Sequence, residues 1–209
     1  MIRLRVDPLR VTAEALMPAI TALQNGGVVA FPTETFYGLA VDPRLIFAVT
    51  KLFALKRRPA DRPIPLIASS VRQVIEQVGT MTPLAKRLAS RGWPGPLTLL
   101  IPASAHLSPD VHLSTGRAAV RVPADSIARA LAEHADHAIT STSANLSGQP
   151  APSSPDAVVA SFGDGIDVVI DAGPTPGGLP STIVDATGSE AVLVRAGAIP
   201  WERVLEFLD

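Results

Sequence analysis

Residues 27–39 read Gly27-Val28-Val29-Ala30-Phe31-Pro32-Thr33-Glu34-Thr35-Phe36-Tyr37-Gly38-Leu39. The apolar run up to Phe31 is too short for a helix and is bounded by glycine and proline, so it reads as a buried strand. Pro32 ends the ladder because it has no N–H to donate. Upstream, Thr12 is an N-cap with Glu14 in the first turn, and Gly26-Gly27 stop that helix just before the strand. Downstream, a second helix starts after Asp42-Pro43 and runs to about Lys56 or Arg57. Pro59 disfavours helical geometry at Arg58, so the chain turns there.

The same signals continue outward. Ile64–Ala68 reads as a strand, and Ser70-Val-Arg-Gln73 has the spacing of a capping box that opens a helix. Further strands are expected at Leu97–Ile101, Ala118–Val122, Ala138–Thr140, Asp167–Ile170, Thr182–Val184 and Ala191–Arg195. Ser154-Pro155-Asp156 is an N-cap, N1 and N2 series for a helix closing at Gly163, and a last helix begins at Pro200. Strands interleaved with helices indicate α/β architecture with a mixed sheet, in a single domain over residues 1–209. The Pro/Ser-rich stretch Gln149–Ser154 is a loop within that domain.

Composition excludes several classes of function. Hydrophobic residues make up 47% and charged residues 18%, which is incompatible with a disordered tail. No apolar run approaches the roughly 18 residues needed to cross a bilayer, and the N-terminus lacks a signal-peptide core, so a cytoplasmic location is expected. With no cysteine there is no disulfide, thiolate nucleophile or Cys-ligated zinc. The formal charge of −1 supplies no global attraction for nucleic acid.

The common nucleotide and hydrolase signatures, G-x-x-x-x-G-K-[ST], G-x-G-x-x-G and G-x-S-x-G, are absent. His134 and His137 are three apart and could share a helix face, but without an H-E-x-x-H pattern they read as surface histidines rather than a metal site. No metal site made of protein side chains is identified.

Three constellations remain. On a helix of 100° per residue with Leu45 at zero, Leu45, Ile46, Val49, Leu52 and Phe53 fall on one stripe. Lys56 falls in the middle of that stripe and Lys51 on the opposite face. A buried ammonium needs partners, so two readings stand for Lys56. It either faces an anion site, or it snorkels outward and complements the helix C-terminus. Arg58 in the following turn adds a planar fork suited to phosphate or carboxylate.

The second constellation is Thr140-Ser141-Thr142-Ser143-Ala144-Asn145-Leu146-Ser147-Gly148. In extended geometry Ser141, Ser143 and Asn145 share a side and suit ribose and phosphate oxygens, while the ordinary alternative is a polar turn. The third is Thr33-Glu34-Thr35 at the end of the first strand. This hydroxyl–carboxylate–hydroxyl series suits an amino-acid ammonium and carboxylate, the alternative being an N-cap.

Taken together, these segments resemble the YrdC/Sua5 family over nearly the whole chain, from about Asp7 to Gly197. The blocks are residues 26–39, Lys56-Arg-Arg-Pro59, Trp93-Pro-Gly-Pro-Leu-Thr98, Ala119-Val-Arg-Val-Pro123, Ser143-Ala-Asn145, Pro180-Ser-Thr-Ile183 and Leu193-Val-Arg195. The resemblance implies a YrdC-like fold, a twisted mixed sheet with helices and a concave, positively charged cleft. It also implies L-threonylcarbamoyl-adenylate synthesis from L-threonine, bicarbonate and ATP, with Mg²⁺ accompanying the ATP. The product would pass to the threonylcarbamoyl-transferase complex that modifies tRNA. Carried over by position, Lys56 and Arg58 would be catalytic and, with Ser143 and Asn145, form an ATP-binding tetrad. Arg195, Thr115 and Ser141 would contact the nucleotide, and Thr33, Arg121 and Ser181 the threonine.

Some members carry a histidine where this chain has Ile67, and Ala196-Gly197 stands where Pro-Gly is frequent. The chain ends at Asp209, and so resembles a short form without the second domain of longer members. Two alternatives accompany the resemblance. One is a module for tRNA or double-stranded RNA. The other is a paralogue handling a different carbamoyl or nucleotide substrate, as in hydrogenase maturation proteins.

Overall fold

The computed structural model describes residues 1–57, 63–105, 107–112, 115–124 and 126–209. The chain opens with β1 (Ile2–Arg5) and α1 (Ala13–Gln24), then β2 (Val29–Phe31), β3 (Gly38–Ala40), α2 (Ile46–Lys56) and β4 (Leu66–Ile67). A short α3 (Val71–Gln73) widens into a π turn over Val74–Val78 and is followed by α4 (Pro83–Gly92), β5 (Leu97–Pro102) and α5 (Pro109–His112). Next come β6 (Arg117–Arg121), α6 (Ser126–His134), β7 (Ile139–Thr140), β8 (Thr142–Ser143) and α7 (Pro155–Phe162). The chain closes with β9 (Val168–Asp171), β10 (Thr182–Asp185), β11 (Val192–Arg195) and α8 (Trp201–Leu205).

The strands form two mixed sheets rather than one. The first has the order β1-β9-β2-β3-β8, the second β11-β10-β5-β6-β4-β7. In the first, β2 pairs parallel with β9 and antiparallel with β3. In the second, β5 pairs parallel with β10 and antiparallel with β6. Segment 139–143 passes from one sheet to the other at Ser141. The crossing is held by Thr140 N–H donating to the Val41 carbonyl at 3.1 Å and Val41 N–H to Thr140 Oγ1 at 2.8 Å.

The apolar run at 28–31 explains itself in this setting. Val28 and Ala30 belong to the larger core, with α2, α4 and the second sheet. Val29 and Phe31 belong to a second core with Leu16, Ile20 and Leu23 of α1 and Ile127 and Leu131 of α6. Period-two alternation with both faces covered produces an uninterrupted hydrophobic strand. Before the ladder starts at Val29, the Gly27 N–H is bonded to the Ala22 carbonyl of α1 and the Val28 N–H to the Asp167 carboxylate, each at 2.7 Å.

Caps read from the sequence appear at Thr12, Ser70 and Ser154, whose hydroxyls accept from Ala15, Gln73 and Ala157 N–H. The Gln73 side chain returns to Ser69 N–H rather than to Ser70. The expected strand at 64–68 contracts to Leu66–Ile67. The expectation of two surface histidines fails at His137. Asp136, at φ 59°, follows the end of α6, so the two residues share no helix face. His137 is buried beside Asp42, while His134 stays exposed.

Candidate active site

Lys56 lies on the buried face of α2. Ala48, Val49, Leu52, Phe53 and Lys56 are the buried residues of α2, and Lys56 is only 3% exposed. Lys51 is exposed and pairs with Asp167 at 2.9 Å. Arg57, at φ 50°, ends the helix in the left-handed region. The Lys56 ammonium does not snorkel outward. It donates to the backbone carbonyls of Ser143 and Asn145, the latter at 2.7 Å. The Ser147 N–H in turn donates to the Lys56 carbonyl at 3.1 Å, so the helix end and the 143–147 loop are stitched at two points.

This contact forms part of the wall of a cavity of about 1020 Å³ lined from both sheets. Of the candidate residues, Thr33, Lys56, Arg121, Ser141, Ser143, Asn145 and Arg195 line it. Its volume is at the upper end of the range for small-molecule sites. Ser181 stands just behind the lining. Its hydroxyl lies 2.8 Å from Thr98 Oγ1, and its carbonyl accepts from Arg195 at 2.7 Å. Thr115 is not brought to the cavity; it sits in the turn before β6 with its hydroxyl on the His112 carbonyl at 2.7 Å. Arg58 lies outside the described residues.

The turn after β2 is fixed by its own hydroxyls. Thr33 Oγ1 donates to the Phe36 carbonyl at 2.7 Å and accepts from Thr35 and Phe36 N–H. Gly177 N–H pins the Thr35 carbonyl from a second loop at 2.7 Å. The side chains of Glu34 and Arg121 form an ion pair beside this turn. On the loop after β8, Asn145 Nδ2 donates to the Leu146 and Gln149 carbonyls at 2.9 and 2.6 Å. Its Oδ1 is buried without a described partner.

Desolvation, and then the charge of Arg121, lower the pKa of Arg195. The Tyr37 hydroxyl donates to the Gly173 carbonyl at 2.7 Å, and burial pushes it up to about 12. It is therefore a neutral part of the wall at physiological pH. Among the described residues no cluster of three or more His, Asp or Glu side chains could hold a metal ion.

The Thr33–Thr35 stretch is legible in the sequence but the partner of Glu34 is not, and neither are Tyr37, Pro65, Ala151 and Ile183 as lining residues. Tyr37 and Ile183 lie inside the blocks quoted for the resemblance. Pro65 and Ala151 carry no polar signal and reach the cavity only through the packing of loops.

A family model named Sua5/YciO/YrdC and described as "Telomere recombination" matches residues 21–197. The chain is 39% identical over 182 residues to a threonylcarbamoyl-AMP synthase of Pyrococcus abyssi, covering 87% of this chain and 54% of that protein. It is 35% identical over 199 residues to a threonylcarbamoyl-AMP synthase of Bacillus subtilis, covering 95% and 58%. The crystal structure of P. abyssi Sua5 complexed with L-threonine superposes with a TM-score of 0.91 at 36% identity, over 99% of this chain and 60% of that one. The chain thus spans just over half the length of these relatives.

Proposed function

The chain belongs to the Sua5/YciO/YrdC family, and from that premise we propose that it is a threonylcarbamoyl-AMP synthase. In this reading it joins L-threonine, bicarbonate and ATP into threonylcarbamoyl-AMP and releases pyrophosphate, as a nucleotidyltransferase. The observation that carries the reading is the Lys56 ammonium, buried at a cavity wall made by Ser143 and Asn145.

The chemistry asks for charge neutralisation and alignment rather than a side-chain nucleophile. The amine of threonine adds to CO2 or bicarbonate, giving a carbamate with loss of a proton or of water. A carbamate oxygen then attacks the α-phosphorus of ATP, and the bond to the bridging oxygen breaks as pyrophosphate leaves. Both reactants are anionic, so their repulsion is a large part of the barrier. Lys56 and Arg58 offset it in a site where charges act more strongly than in water. Lys56 also locks the 143–145 backbone, which aligns Ser143 and Asn145 with the nucleotide. Arg195 and Ser141 hold phosphate or ribose. Thr33, Arg121 and Ser181 receive the amino acid.

The described residues lining the cavity include no carboxylate or histidine, and among the described residues no group of three or more His, Asp or Glu side chains could hold a metal ion, so the residues present do not fit a protein-held Mg²⁺. Mg²⁺ enters with the triphosphate as part of the substrate. The product passes to the threonylcarbamoyl-transferase complex acting on tRNA, in the cytoplasm. No helix among the described residues is long and apolar enough to cross a membrane.

The test is incubation with ATP, bicarbonate and each amino acid in turn, reading pyrophosphate and the mass of the adduct. Pyrophosphate that requires both threonine and bicarbonate is expected. Tight, salt-sensitive tRNA binding with no turnover would overturn the proposal in favour of an RNA-binding module.

A further inference from the structure

Glu34 is paired with Arg121, which lines the cavity, and the proposed reaction leaves that pairing unexplained. Its Oε1 is paired with Arg121 Nη1, while Oε2 is buried and accepts no hydrogen bond from any described residue. A carboxylate kept for the stability of the fold would have both oxygens satisfied. This one is committed through a single oxygen to a single cation.

That cation has a reason to need holding. Arg121 is 8% exposed at the end of β6, and its charge already lowers the pKa of Arg195 across the same cavity. Two like charges repel, and an unrestrained Arg121 side chain would relax away from Arg195. Glu34 is presented from a turn that cannot yield easily, since the Thr33 hydroxyl bonds across it and the Gly177 N–H pins it. One guanidinium nitrogen is thus anchored. The other N–H groups of Arg121 make no hydrogen bond to a described residue and are left for the cavity that the residue lines.

We infer that Glu34 is a positioning residue for the amino-acid substrate: it fixes the Arg121 guanidinium so that its free N–H groups meet the substrate carboxylate. The inference rests on the proposed function and deepens it by assigning the orientation of Arg121 to a residue that does not itself react. It separates the two substrates, because the anchored group faces the amino acid and not the nucleotide.

The experiment compares the unaltered protein with Glu34→Gln and Glu34→Asp. It measures L-threonine binding by calorimetry, the KM for threonine and for ATP in the pyrophosphate assay, and the thermal midpoint. Gln keeps the shape but removes the charge, so the threonine KM and Kd should rise roughly tenfold, as for loss of a charge-assisted bond. The ATP KM should stay within about twofold, the thermal midpoint should hold, and Asp should recover part of the loss. An unchanged threonine KM in Glu34→Gln would overturn the inference. So would a tighter one, which would mean that Glu34 competes with substrate for Arg121, or a parallel rise in both KM values with a lowered midpoint. If the unaltered protein responds to no amino acid, the proposed function falls, and this inference with it.

Discussion

The Lys56 ammonium donates to the Asn145 carbonyl across 2.7 Å, joining a helix end to a loop 89 residues further along the chain. Its other described acceptor is the carbonyl of Ser143, so one cation ties together the two ends of the Ser-Ala-Asn segment. The same group therefore serves the fold and the charge of the cavity, and its removal should affect both.

Lys56→Met keeps most of the stem but leaves two carbonyls without their donor. Buried acceptors left unmade cost about 1–3 kcal/mol each. Pyrophosphate formation should fall at least about tenfold and the urea midpoint should drop. Lys51→Ala should change activity little and stability by less than about 1 kcal/mol, because its pair with Asp167 is exposed. Equal losses of activity in the two variants would break the distinction between the faces of α2.

Asn145→Asp should be worse than Asn145→Ala. The asparagine amide donates to the Leu146 and Gln149 carbonyls, and a carboxylate would set an acceptor against two acceptors. The Ala variant loses the bonds without adding repulsion. Comparison of kcat/KM for ATP, with circular dichroism as a check on folding, should rank the unaltered protein above Ala and Ala above Asp.

Gly197→Ala should disturb the cavity from behind. A Cβ there would lie 2.3 Å from the Pro180 carbonyl oxygen and 2.5 Å from backbone atoms of Ser181 and Thr182. The backbone that carries Ser181 to Arg195 must shift, at a cost of roughly 1–3 kcal/mol. A lower melting temperature together with a raised KM for substrate is expected. Gly188→Ala, with nothing within 4 Å of the new Cβ, is the matched control and should match the unaltered protein.

Stability should fall on mild acidification because of His137. Desolvation lowers its pKa below the ordinary 6.5, and the Ala138 carbonyl and Asp42 only partly oppose this. Asp42 Oδ2 lies 3.3 Å from His137 Nε2 without hydrogen-bonding alignment, and Arg44 donates to both oxygens of the carboxylate. Burial pushes the Asp42 carboxyl up, but the bonds from Arg44, with the charge of His137 adding to them, outweigh it and leave it below its usual value. As pH drops through the unfolded value of 6.5, the unfolded chain takes a proton that folded His137 refuses. Stability is therefore lost from there down to the folded pKa, with a slope of at most about 1.4 kcal/mol per pH unit. Urea midpoints measured between pH 7.5 and 5.5 should show this decline, and His137→Gln should flatten it. An identical slope in the variant would assign the effect elsewhere.

Local physics made much of the molecule legible. Hydroxyls at Thr12, Ser70 and Ser154 announce helix starts because unsatisfied N–H groups need acceptors nearby in sequence. The position of Lys56 on the apolar stripe follows from spacing alone, while its burial rather than outward snorkelling is decided by the carbonyls of Ser143 and Asn145, brought there from far along the chain. Elements with weak local signals escaped. β3 has three residues and β8 two, and both exist through pairing with partners distant in sequence. The helices α4 and α6 went unread, and with α6 the burial of His137.

The sequence by itself determined the alternation of helices and strands, the buried strand at 28–31, the helix face that carries Lys56 and, through its blocks, the family. Tertiary structure alone decided that there are two sheets, that segment 139–143 crosses between them, and that Glu34 holds Arg121 from 87 positions away. Those pairings depend on how the chain closes in space, and their geometry is not carried by any run of neighbouring residues.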